Sequence, residues 1–422
     1  MRASLVALIA LSGTLSAQTI AITGGRVYTV TGAPIDNGTV LIQNGRITQV
    51  GANVSIPADA RRIDATGKWV TPGLINASTT LGLVEIAQEP PTRDASARGK
   101  DAIAASFKVV DGFNAASVLL APAREEGVTT VAIAPSGGLI SGQAAALDLL
   151  PGSISDMLIR SPVAMIAEVG DKGSAGVGAR GELIGKLREL LEDVRAYSRR
   201  KAEFERAATR PFSAGRADLE AMIPVLEGKL PLVIDADRAG DIEAALKIAG
   251  DYGLRIMIGG GAEAWMVADK LANARVPVIT GAMNNIPGSF STLASAQENA
   301  AFLRRAGVDV ILIGDSGVGD GETFNVRDVK QEAGNAVAYG MSWDDALRAV
   351  TTVPARVLGI GDRYGTLEAG KVANVVVWSG DPFEFGTRAE HVIIRGSEIS
   401  SPSRQDLLEQ RYKTLPPDYR KP

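Results

Sequence analysis

Side chains able to do chemistry are unevenly supplied in this 422-residue chain, which has one histidine and no cysteine. Imidazole serves most zinc, iron and copper centres and most proton transfer near neutral pH, so a single copy restricts all of these. The absence of cysteine excludes disulfides, thiolate metal sites and cysteine nucleophiles together. The one histidine, His391, lies in RAEHVIIRG beside a strand-like run near the C-terminus and reads as structural. With no histidine to serve a nucleophile, and no Gly-x-Ser-x-Gly elbow, a Ser/His/Asp hydrolase is excluded. Gly176-Val177-Gly178-Ala179-Arg180-Gly181 has the GxGxxG spacing of a dinucleotide loop. It lies deep in the chain, however, and no acidic residue closes a second strand about twenty residues on, so it reads as a loop between strand and helix. Ser136-Gly137-Gly138 and Asn284-Asn285 follow strand-like runs and offer hydrogen bonds to a pocket.

The elements that must position such groups follow from hydrophobic runs and their punctuation. Segment 20–64 reads as short strands broken by glycine, with Asn44-Gly45 a hairpin turn. A second β segment lies at the other end, in Gly370–Trp378 and Val392–Gly396. Between them, short apolar runs alternate with helical spacing. The runs are 69–77, 128–134, a weak one at 143–150, 163–169, 230–236, 254–260, 276–280 and 308–315. Helical spacing occupies 180–206, 238–252, 262–274, 292–306 and 325–340. Unalternating apolar runs are those of strands buried on both faces. Eight such units favour a closed α/β barrel, with its active centre at the C-terminal strand ends. A doubly wound open sheet fits the same pattern, and periodicity does not separate the two.

The ends and the charge balance complete the organisation. Arg2, the apolar run Leu5–Leu11 and the small residues Ser16-Ala17 before Gln18 read as an export signal. A membrane anchor is the rival, but the run falls short of the roughly 20 residues that a span needs. No later segment is long and apolar enough to span, and the expected location is periplasmic or secreted. The net charge of -4 and the lack of a Lys/Arg cluster give no footing for nucleic acid. The charged stretch 185–210 reads as a solvated helix, and Leu407, Leu408 and Tyr412 in the C-terminal tail have helical spacing that suits packing on a neighbour or on the protein's own surface.

VTPGLINASTTLGL is similar to the first barrel strand of the amidohydrolase superfamily, which writes a PGLID-A-H-T-H-L-G run there. VILIGDSG resembles the last barrel strand with its aspartate, and EAGNAVAYGMSWDDALRAVTTVPARVLGI and GTLEAGKVANVVVWSGDP resemble the closing helices and the returning β segment. The resemblance runs from about 20 to 397 and is nearest to imidazolonepropionase-like members. It implies a distorted (β/α)8 TIM barrel carrying a small β-sandwich built from both termini. The expected division is a signal peptide at 1–17, a composite sandwich from 18–70 and 355–398, a barrel at 71–354 and a tail at 399–422.

The departures from the family pattern decide the functional reading. Members use one or two divalent metals to activate water and polarise a carbonyl or phosphoryl oxygen. By the resemblance, the first-strand histidine pair falls on Ser78 and Thr80, and the preceding acidic position on Asn76. The fifth-strand histidine falls on Asp235 and the sixth-strand histidine on Gly260. Glu168 stands about where the fourth strand supplies a bridging lysine or glutamate, and Asp315 is the eighth-strand aspartate. Zinc favours nitrogen and sulfur donors, so no zinc is expected. The favoured reading of Glu168, Asp235 and Asp315 is a degenerate site in a non-catalytic binding module, or in the partner of an active paralogue or of a second copy of this chain. They would otherwise hold Mg²⁺, Mn²⁺ or Ca²⁺ through oxygen, or act without metal as acid and base on a C–N bond in a cyclic amide or dipeptide-like substrate.

Overall fold

The computed structural model describes residues 18–97, 102–170, 178–283, 287–314, 324–400 and 402–413. The proposed export signal therefore lies outside the described residues. Five strands open the chain: β1 (Ile20–Val27), β2 (Ile35–Gln43), β3 (Arg46–Gly51), β4 (Arg61–Asp64) and β5 (Trp69–Pro72). Asn44 and Gly45, both at positive φ, form the tight turn between β2 and β3, as a hairpin with right-handed strand twist requires.

Eight strands follow, β6 (Leu74–Thr79), β7 (Val128–Ile133), β8 (Ile140–Asp148), β9 (Leu158–Glu168), β10 (Leu232–Ala236), β11 (Ile256–Gly260), β12 (Val278–Thr280) and β13 (Val310–Leu312). They form one nearly closed barrel sheet in chain order. The chain then returns to the first sheet with β14 (Val375–Trp378), β15 (Ala389–Ile394) and β16 (Ser397–Glu398). That terminal sheet is one hydrogen-bonded path, β16-β15-β14-β5-β1-β2-β3, with β4 beside β1. It curls until the loop before β14 meets β3, where Ile47 N–H donates to Lys371 O at 2.9 Å. The sandwich expected from the sequence is thus a single sheet folded over its own core of Ile22, Val40, Ile42, Val70, Val375 and Ile393.

Two departures from the sequence reading matter. The run 69–77 is not one strand: β5 belongs to the terminal sheet and β6 to the barrel, with Gly73 between them. A Cβ at Gly73 would overlap the Thr129 side chain, so the chain changes sheets where only glycine fits. The weak run at 143–150 is β8, antiparallel to both β7 and β9. Its connections, 134–139 and 149–157, are hairpin loops, whereas a parallel crossover needs about a dozen residues or more. The barrel is therefore distorted at its third strand, where no flanking helix of ordinary length is inserted.

Alternation along the strands divides two cores. Ile75, Ala132, Ile166, Val233, Met257 and Ile279 fill the interior. Their sequence neighbours Leu74, Val131, Met165, Leu232, Ile258 and Val278 face the helices. The longest helix, Arg180–Arg199, buries Leu183, Leu187, Leu190, Leu191 and Val194 against that outer layer, the spacing of one helical face. Ala355, Leu358 and Tyr364 join the inner core at the N-terminal end of the barrel. A carboxylate is fully buried there. Asp148 accepts hydrogen bonds from Thr130 Oγ1 at 3.0 Å, Tyr364 OH at 2.8 Å, Asn374 Nδ2 at 2.7 Å and Arg395 Nε at 2.5 Å. Burial, and then the Asp148 charge, push the Tyr364 phenol upward, so it remains a donor.

Candidate functional site at the barrel mouth

The C-terminal strand ends bring two of the expected carboxylates together. Glu168 closes β9, and Asp235, on β10, is its register partner. Asp235 is in turn the partner of Gly259 on β11. Each lies two residues beyond an inward-facing residue, Ile166, Val233 and Met257 respectively, so strand alternation directs all three positions into the barrel. A Cβ at Gly259 would collide with Asp235 Oδ1. The Asp235 carboxylate therefore occupies the space a side chain on β11 would need.

Gly260, the expected sixth-strand position, is exposed and has a positive φ of 77°. The inward position beside Asp235 is Gly259, one residue earlier. Ser78 is half-buried, and its N–H donates to Asn76 Oδ1 at 3.3 Å. The Asn76 side chain donates to Val326 O at 3.3 Å, in the outer layer. Thr80 is buried, and its carbonyl turns the chain by accepting from Leu83 N–H at 2.9 Å and Val84 N–H at 3.1 Å. Asp315 and Asn284-Asn285 lie outside the described residues, as do the first two residues of the GxGxxG stretch; Arg180 and Gly181 begin the long helix.

Sequence reasoning placed Glu168 at this mouth but missed its loop-holding role and the carboxylates Asp237, Glu263 and Glu332 that share it. Glu168, only 2% exposed, accepts from Gly137 N–H at 2.8 Å, which ties the β7–β8 hairpin over the strand end. Asp237 accepts from Ala262 N–H at 3.2 Å. Glu263 accepts from Ala239 N–H at 3.0 Å and Ala294 N–H at 3.1 Å. Glu332 accepts from Ala282 N–H at 2.5 Å and Met283 N–H at 3.0 Å. Each spends acceptor capacity on backbone donors of loops that have no ladder partner. No spacing rule exposes them, because donor and acceptor are far apart in sequence; only the acid just past a strand end at Asp237 leaves a visible trace.

His391 is on the terminal sheet, not on the barrel. Its Nδ1 lies 2.6 Å from Glu398 Oε1, across the β15–β16 hairpin. Among the described residues, no three His, Cys, Asp or Glu side chains converge as a metal-holding group. No described helix is long and apolar enough to cross a membrane.

Residues 237–400 match the model of the amidohydrolase family. That match spans less than half of the chain. Similarity extends further toward the N-terminus in whole-chain comparisons. An imidazolonepropionase of Mesorhizobium japonicum is 26% identical over 372 residues, which cover 82% of this chain and 87% of that protein. Amidohydrolase tasK of Hapsidospora irregularis is 24% identical over 85% of this chain, although the match spans only 39% of tasK. An amidohydrolase structure from Thermotoga maritima superposes with a TM-score of 0.82 at 28% identity, covering 91% of this chain and 100% of that one. Molinate hydrolase, at TM-score 0.57 and 20% identity over 92% of this chain and 97% of its own, shares the fold alone. These matches support a likeness to the amidohydrolase superfamily and to its imidazolonepropionase-like branch.

Proposed function

We propose that this chain is an exported amidohydrolase-family protein with a degenerate metal site, acting as a binding module or as the partner of an active paralogue. One observation carries the proposal: the chain's one histidine, His391, pairs with Glu398 on the terminal sheet, so no imidazole is available to the barrel mouth. A family zinc centre draws on imidazole donors, and the donors present do not fit one. Several mouth carboxylates are also engaged in holding loops. Glu168, Glu263 and Glu332 each accept a backbone N–H, which leaves them less free to donate to a cation. Export rests on the N-terminal pattern of Arg2 and the apolar run Leu5–Leu11.

The second reading is a hydrolase of C–N bonds that uses carboxylates, with or without Mg²⁺, Mn²⁺ or Ca²⁺. Its support is the adjacency of Glu168 and Asp235 on neighbouring strands. Two carboxyl groups at such a site share protons unequally, the condition for acid and base to coexist. Turnover of imidazolone propionate, cyclic amides and dipeptides, with each divalent cation added, separates the readings. The proposal expects rates at the uncatalysed background. Robust turnover that vanishes in Asp315→Asn would establish the hydrolase instead.

A further inference from the structure

The end of the barrel opposite the mouth carries a pocket that the family chemistry does not use. A cavity of about 420 Å³ opens among the N-terminal starts of β10 to β13, within the size range of small-molecule sites. Arg255, Arg275 and Arg356 line it, against a single acidic residue, Asp309. Arg356 Nη2 is paired with Asp309 Oδ2 at 2.8 Å. Among the described residues, the guanidinium groups of Arg255 and Arg275 make no hydrogen bond or ion pair. A fourth arginine stands close by, since Arg160 Nη1 donates to the carbonyl of Gly359, itself part of the wall, at 2.9 Å. The wall between the charges is apolar, with Met257 and Val276 buried in it.

Arg275 is also held unusually. It ends the helix Ala268–Ala274 in a left-handed conformation, φ 54° and ψ 39°, where glycine is the residue without a steric penalty. A residue with a side chain at this strained position thus lies in the pocket wall.

We infer that this pocket binds a small organic dianion, two carboxylates on a short apolar body, between Arg255 and Arg275. Guanidinium forks match carboxylates in geometry and charge, and the intervening wall suits methylene groups. An inorganic anion would leave the apolar wall unused. The site is remote from the barrel mouth, so the inference stands whether or not the mouth is catalytic.

Isothermal titration of the full chain with glutarate tests this, with glutaramide as the uncharged isostere and inorganic phosphate as the ion without a carbon body. Both arginines are exposed, so Arg255→Gln and Arg275→Gln should fold, and a thermal melt checks that they do. The expected result is saturable glutarate binding, weakened about tenfold or more by either substitution, as the loss of a charge-assisted carboxylate contact implies. Glutaramide should not bind, and phosphate should bind more weakly than glutarate. Absence of glutarate binding, equal binding by the folded double variant, or tighter binding of phosphate would each overturn the inference.

Discussion

Asp235 reaches its place because β11 has no side chain at Gly259. The carboxylate fills the volume that a Cβ there would take, so the two positions are coupled across the parallel register. Gly259→Ala should displace Asp235 and destabilise the fold by about 1–3 kcal/mol, the ordinary range for overpacking a well-filled interior. Urea denaturation reads this directly, and a variant as stable as the parent would mean the carboxylate does not occupy that space in solution. His391 offers a different test at the same scale. Burial lowers its pKa below 6.5, aided by Lys68 and then Arg61 and opposed by Glu390. The nearby Glu398 carboxylate would favour the charged ring, but its other oxygen is held by Arg61. A histidine with a depressed folded-state pKa binds protons more readily when unfolded. Its contribution to stability is therefore complete above pH 6.5 and declines as pH falls from there through its folded pKa. The urea midpoint should accordingly drop more between pH 7 and pH 5 in the parent than in His391→Asn; equal drops would show that the ring is not held neutral.

At the scale of elements, the buried Asp148 joins four parts of the chain. Its partners come from β7, from the loop segment carrying Tyr364, from the start of β14 and from the β15–β16 turn. Removing the carboxylate leaves the Arg395 charge partly buried without its counter-ion. Asp148→Ala should cost about 3–5 kcal/mol, the cost of breaking a buried pair from one side. Chemical denaturation would detect it, and a loss no larger than that of a surface substitution would remove Asp148 from this role. These elements also mark what the sequence could and could not disclose. The apolar runs of β7, β9, β10 and β11 were legible because strands buried on both faces leave short stretches rich in Val, Ile, Leu, Met and Ala. The division at Gly73 was not drawn, because apolar runs flank Pro72-Gly73 on both sides and which sheet each run joins is set by tertiary pairing. The direction of β8 was hidden for a related reason: strand patterning is the same for either direction, and only the loop lengths carry the information. At the mouth, Glu168 and Asp235 were named through the family resemblance, and their register as neighbours comes from the structure. The loop-holding roles of Glu263 and Glu332 were not legible, because their donors are set by tertiary folding.

At the scale of the whole molecule, the barrel presents two differently charged ends. Its C-terminal mouth gathers carboxylates and has no imidazole to draw on. Its N-terminal end carries arginines around an apolar cavity. The exposed side chains Leu407, Leu408 and Tyr412, on the tail helix Arg404–Tyr412, lie outside both cores, and suit contact with a paralogue or a second copy if the binding role is correct. The proposed function requires a barrel mouth that holds no catalytic metal. Metal content by inductively coupled plasma mass spectrometry tests it most directly, on protein exposed to Zn²⁺, Mn²⁺, Mg²⁺ and Ca²⁺ and then dialysed, beside an Asp315→Ala control. The expected result is metal far below one equivalent per chain and no difference between the two proteins. Near-stoichiometric metal in the parent that disappears in Asp315→Ala would contradict it.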